Sequence, residues 1–204
     1  MISRRLTYLA LSGLALSGAL GGCVNVLPEP ETPKALIELP DSNAAAPQSP
    51  LRADVTVYRP DASRPNAGVN IAVRTGQEIV FLNDVRWADA APRLLQTALL
   101  NSLARAEGEG RAVSAEQALR TDYELRWRIV DLSVSRASGE VRAEVEASLV
   151  RSATRRIVAQ DRFLSVETPE GSNPRKRAAA LAIAAQNAAG QVAEFVAQNA
   201  APSP

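Results

Sequence analysis

The chain has 204 residues, 46% of them hydrophobic, with 23 basic and 22 acidic residues, one cysteine and no histidine. This near-neutral balance argues against a nucleic acid or a polybasic membrane clamp as partner. The missing histidine removes the commonest general base, the commonest metal ligand and every Ser-His or Cys-His nucleophile pair, so only carboxylate chemistries survive.

Met1 to Gly22 reads as a signal peptide, with Arg4 and Arg5 as the charged start and Leu6 to Leu20 as the apolar core. Its removal leaves 21 basic against 22 acidic residues, 21 − 22 = −1. The small-residue run Leu20-Gly21-Gly22 closing on Cys23 resembles a bacterial lipobox. That resemblance implies a diacylglycerol thioether on Cys23, cleavage before it, and acylation of the new amine. The alternative is a lone thiol at the end of a transmembrane helix, against which the apolar run is short. Two or three acyl chains, at about 0.8 kcal/mol per buried methylene, anchor stably. No disulfide can form within the chain, so the body must hold by packing alone. Val24 stands where an aspartate would resemble an inner-membrane retention signal, which points to the periplasmic face of the outer membrane.

Three segments are expected: the signal peptide 1–22, a lipidated cysteine with a proline-rich tether 23–52, and a single domain 53–200. Val24 to Pro50 carries six prolines and no sustained apolar periodicity, the composition of a disordered or extended tether. At about 3 Å per residue it gives the body reach from the bilayer.

Val55 and Val57 alternate with Asp54, Thr56 and Tyr58, the pattern of a half-buried strand. Turn chemistry follows through Gly68. Strands over about 69–74 and 78–83 flank Thr75-Gly76 as a hairpin. Asp89 is placed to cap a helix to about Ala106, with Leu94, Leu95, Ala98, Leu99, Ser102 and Leu103 as its apolar stripe. Glu107-Gly-Glu-Gly110 ends it and resembles a linker. A short strand near Val113 leads into Ser114-Ala-Glu-Gln117, which has capping-box spacing.

The clearest β pattern spans 122–133, with Tyr123, Leu125, Trp127 and Ile129 on one face and Glu124, Arg126 and Arg128 on the other. Strands over about 141–149 and 156–166 complete a meander with one packed and one wet side, the latter zipped by opposite charges. An alanine-rich helix over about 175–199 carries Leu181, Ala185, Ala188, Val192 and Phe195; it is either a coiled-coil seam or a helix lying across the sheet. The expected fold class is α+β: a largely antiparallel sheet with two main helices packed on one face.

No catalytic motif, metal-ligand spacing or cofactor loop stands out. Asp84, Asp89, Asp122, Asp131 and Asp161 are scattered, and no serine sits in a nucleophile elbow. The chain is therefore expected not to be an enzyme, with no cofactor and no metal. Arg86-Trp87-Ala88-Asp89 is the most individual stretch. An exposed tryptophan beside arginine suits a partner-docking surface of Arg86, Trp87 and Asp89. A staple covering the core edge is the other reading of Trp87.

Gln77 to Pro92, with Arg86-Trp87-Ala88-Asp89 leading into a Pro-Arg-Leu-Leu helix start, then Thr121-Asp122-Tyr123-Glu124-Leu125 and the alanine-rich terminal helix, resembles the ABC-type transport auxiliary lipoproteins, the family of paraquat-inducible protein C. The resemblance covers about Ala53 to Asn199; the long proline-rich segment before it departs from the family pattern. It implies a non-enzymatic periplasmic component working with an ABC permease and an MCE-type lipid-binding protein. Such a component would help move phospholipid or another hydrophobic molecule between the membranes, assembled as a homo-oligomer, possibly a ring. The competing class is a structural or regulatory envelope lipoprotein acting on a cell-wall synthase or an assembly complex.

Overall fold

The computed structural model describes residues 33–40 and 46–202, and from Pro33 onward the chain forms one compact unit. Cys23 and the signal segment lie outside the described residues. The elements are β1 (Ala35–Ile37), β2 (Val55–Val57), β3 (Asp61–Ala62), β4 (Asn70–Thr75), β5 (Glu78–Trp87), α1 (Ala91–Leu103), β6 (Ala112–Ser114), β7 (Tyr123–Ser135), β8 (Val141–Arg151), β9 (Arg156–Glu167) and α2 (Pro174–Asn199).

The strands form one nine-stranded sheet. β7 is its spine. On one side it pairs antiparallel with β8, which pairs antiparallel with β9. On the other side three short pieces lie against it in succession, all parallel: β2 at Tyr123–Leu125, β3 at Arg128–Ile129 and β4 at Ser133–Ser135. β2 also pairs parallel with β6, and β5 pairs parallel with β1. The expectation of a largely antiparallel sheet is therefore corrected to a mixed sheet. The meander and the β4–β5 hairpin are antiparallel, and the joins around them are parallel.

The alternation in β7 and β8 has a direct physical outcome. Tyr123, Leu125, Trp127 and Ile129 are buried, as are Val141, Ala143, Val145, Ala147 and Leu149. A register shift between Ile129 and Asp131 turns the spine by one residue, so Leu132 and Val134 continue the buried face. On the wet face Arg128 stands opposite Glu146, at 2.9 Å, and Arg162 of β9 reaches the same carboxylate at 3.1 Å. Arg142 and Arg162 flank Glu144 at 2.7 and 3.2 Å. Glu144 is buried at this crossing, whereas the more exposed Arg128–Glu146 pair contributes less than about 1 kcal/mol.

β2 differs from its expected half-burial. Val55, Thr56 and Val57 are all buried, because the strand is flanked by β6 and β7 and is covered on both faces. The tether reading is also corrected. Ala35–Ile37 joins the sheet, Leu39 packs against the core, and Leu51 is fully buried within it. The sheet thus begins inside the proline-rich segment.

Glu107-Gly-Glu-Gly110 is not a linker but a close contact. Leu51 N donates to Glu107 O at 2.7 Å and Gly110 N to Leu51 O at 2.9 Å. A Cβ on Gly108 would stand 2.2 Å from Leu51 O, and one on Gly110 2.5 Å from Ala53 O. Only glycine lets the two backbones meet.

α1 starts after Ala90, and no side chain caps it. Asp89, expected as the cap, instead accepts from Ala90 N at 2.7 Å and pairs with Arg93 at 3.2 Å. Its stripe is buried at Leu95, Ala98, Leu99, Ser102 and Leu103. α2 is capped by Asn173, whose Oδ1 accepts from Lys176 N at 2.8 Å. It lies against β8 and β9 and packs on α1, so it is the helix across the sheet rather than a coiled-coil seam. Alanines over most of its circumference allow that close approach, and Phe163 meets Phe195 edge-on at 5.4 Å.

Candidate docking site

The Arg86–Asp89 stretch is built where three segments converge. Asp84 takes φ 64, a left-handed conformation that aspartate tolerates, and β5 then bends to receive β1. Lys34 N donates to Asp84 O at 2.8 Å, and its ammonium reaches Asp84 Oδ2 at 3.0 Å. Leu36 faces Arg86 and Ile37 faces Trp87 in the parallel register. Trp87 N donates to Val69 O and Ala88 N to Ile37 O, both at 2.8 Å.

The three residues expected at a docking surface have different fates. Trp87 is only 3% exposed. It packs among Leu39, Ala91, Leu94, Leu95, Leu132 and Ala185, where β5 meets both helices. Its indole offers no exposed aromatic face, which corrects that part of the docking reading in favour of the staple. Arg86 and Asp89 are half-exposed around it. Beside Arg86, Leu36 is 60% exposed, and Phe81, further along the same strand, is 45% exposed. Ile79 and Val80 stand next to Phe81 in the arm of the hairpin, so this end of the sheet presents apolar side chains to its surroundings.

Three carboxylates, Glu116, Glu146 and Glu194, have values held down by their partners. Glu146 lies below the ordinary carboxylate value, first through the hydrogen bond from Arg128 and then through that from Arg162. Glu194, on α2, is lowered first by the Ser49 hydroxyl, which donates at 2.6 Å, and then by the main-chain N–H groups of Gln48 and Ser49. This clamp ties the segment before the core to α2. No motif announced it. Among the described residues no group of three or more acidic, cysteine or histidine residues is placed to hold a metal ion. No helix among them is long and apolar enough to cross a membrane.

The class these features define is a mixed-sheet domain whose individual residues support packing and surface contact. The chain belongs to the ABC-type transport auxiliary lipoprotein components, whose family model matches residues 36–197. That match includes β1 and so agrees with a domain that begins inside the proline-rich segment. Protein XCC0632 from Xanthomonas campestris is similar in fold, at 19% identity and a TM-score of 0.67, over 76% of this chain and 91% of that one. An uncharacterized protein is similar at 16% identity and a TM-score of 0.62, over 81% of this chain and 99% of the other. PelC from Paraburkholderia phytofirmans, a dodecamer in its crystals, is more distant, at 14% identity and a TM-score of 0.45, over 76% and 95% of the two chains. Nothing among the curated proteins matches.

Proposed function

We propose that this chain is a non-enzymatic, lipid-anchored accessory of an ABC/MCE-type transport system. It would serve the movement of phospholipid or other hydrophobic molecules between the inner and outer membranes. The observation that carries this reading is the family match over residues 36–197, nearly the whole folded unit, since the family is an auxiliary component of ABC-type transport. Acyl chains on Cys23 hold the domain at the periplasmic face of the outer membrane. Copies associate with one another, and partners dock on the rim around Arg86, Asp89 and Leu36, with Trp87 fixing that rim from beneath. The half-exposed guanidinium of Arg86 beside the exposed Leu36 supports this placement, because arginine next to apolar area is favoured at interfaces.

The test is co-purification of the full lipidated chain from membranes after mild cross-linking, beside Cys23→Ala and Arg86→Glu. An MCE-domain protein and an ABC permease should come down with the parent. Arg86→Glu should reduce that yield at least tenfold at unchanged chain abundance, and Cys23→Ala should release the chain from the membrane fraction. Recovery of a peptidoglycan synthase in place of permease and MCE protein would reject the transport reading for the structural one.

A further inference from the structure

At the edge of the sheet farthest from β1, a groove of about 680 Å³ runs between β9 and α2. One wall is Leu164, Ser165 and Val166; the other is Gln186, Asn187 and Gln191. Among the described residues β9 pairs only with β8. Along its 12 residues, the main-chain groups turned away from β8 therefore have no ladder partner. α2 is buried almost all round and exposes one narrow stripe, which over the groove consists of Asn187, Gln191, Glu194 and Gln198. Gln186 lies beside that stripe, 1% exposed, and its Nε2 has no hydrogen-bond partner. A buried amide donor left unpaired costs about 1–3 kcal/mol, which marks it as a group that lacks its acceptor.

Amides donate and accept at once, as peptide groups do, so a free strand edge facing a row of amides suits a polypeptide main chain. At one end of the groove a stretch of main chain already lies against α2, held by a carboxylate. Pro47 and Gln48 line that end, and the main-chain N–H groups of Gln48 and Ser49 donate to Glu194. Gly190 lies along the same wall, and a Cβ there would meet nothing within 4 Å, which leaves room for an incoming side chain. Among the described residues lining the groove, Glu194 is the only charged one. We propose that this groove binds an extended, neutral or basic polypeptide segment of a partner protein, which adds to β9 as a further strand and sets its main chain between that strand and the amides of α2. This site stands apart from the rim around Arg86 and does not rest on the transport reading.

A second copy of β9 fits less well. Two-fold antiparallel pairing keeps side chains on their own faces only if each residue meets one an even number of positions away. Centring such a pair on the middle of β9 places Asp161 against Asp161 or Arg162 against Arg162. Like charges directly opposite are destabilising.

The experiment screens the full chain against a synthetic library of eight-residue peptides by fluorescence anisotropy and carries the tightest binder forward. A neutral or basic octapeptide should bind in the micromolar range and slow amide hydrogen exchange at Leu164–Val166. N-methylation of its alternate amides should weaken binding at least tenfold. Gly190→Leu, which fills the groove from a position with free space, should do the same with Tm unchanged or raised. If that variant misfolds, the exchange pattern of the parent with the methylated and unmethylated peptides decides alone. The proposal is overturned if no octapeptide binds, or if binding ignores both N-methylation and Gly190→Leu. It is also overturned if the exchange protection at β9 comes instead from self-association of the chain or from an added glycan such as maltohexaose.

Discussion

Replacing Trp87 by alanine separates a core role from a docking role, because the two predict effects on different quantities. The side chain is 3% exposed and sits where β5, α1 and α2 meet. An indole of this kind buries about 150–250 Å². At ~25 cal/mol per Å² that is about 4–6 kcal/mol as an upper bound, since an unfolded chain already hides part of its surface. Truncations of buried tryptophan cost about 3–5 kcal/mol once partial collapse of the cavity is included. A domain of this size has about 5–15 kcal/mol in total, so Trp87→Ala should remove about a fifth of the stability or more. With a urea m-value of about 2 kcal/mol per molar, the midpoint should fall by about 1.5–2.5 M. Trp127 remains as the fluorescence reporter, its indole N–H donating to Tyr58 O at 2.7 Å. Trp87→Phe should recover more than half of the loss. A midpoint shift below about 0.5 M, together with lost self-association or lost partner recovery, would refute the core assignment and return Trp87 to the surface.

Four further outcomes follow from the same structure. Gly110→Ala should destabilise by about 2 kcal/mol or more in denaturant unfolding, because its Cβ would stand 2.5 Å from Ala53 O and neither backbone can yield cheaply. Gly68→Ala, where the added Cβ meets nothing, should be close to neutral by the same measurement. Acid should weaken the fold through Glu146 and Glu194, whose folded values are depressed. A depressed carboxylate contributes fully above the unfolded value of about 4.3, and its contribution is lost as pH falls from there through the folded value, so Glu194→Gln should flatten the acid limb of a stability–pH profile. Finally, Asn66 is buried with both amide atoms unpartnered, so Asn66→Leu should be neutral or raise stability by about 1 kcal/mol in thermal unfolding.

Which parts of the fold the residues disclosed has a physical pattern. β7 and β8 are long and half-buried, so their two faces differ along most of their length and the alternation is plain. The Thr75-Gly76 hairpin and α2 carry local signals of the same strength, with Gly76 at φ 60 in the turn. β1 and β3 are three and two residues long, so neither length nor alternation marks them, and the alternation around Val55 and Val57 marks β2 without disclosing that it is covered on both faces. Their parallel pairing depends on residues far along the chain, which no local pattern encodes. Trp87 illustrates the same divide at the site. Arg86-Trp87-Ala88-Asp89 was recognisable as a distinctive stretch, yet whether its indole points in or out depends on Leu39 and Ala185, from segments far apart in sequence. Gly108 and Gly110 look like spacer residues until Leu51 and Ala53 are brought against them.

The arrangement of strands around β7 also constrains how the chain comes together as it is made. Synthesis delivers the amino-terminal end first, but β2 pairs only with the later β6 and β7, β3 pairs with β7, β4 has the β5 hairpin on one side and waits for β7 on the other, and β1 waits on the end of β5. The first half of the domain therefore emerges with strands whose hydrogen-bonding neighbours do not yet exist. The β7–β8–β9 meander, among the last parts to appear, pairs strands that are neighbours in sequence. Closure of the domain must wait until the carboxy-terminal half is present, and such late, long-range pairing is slow.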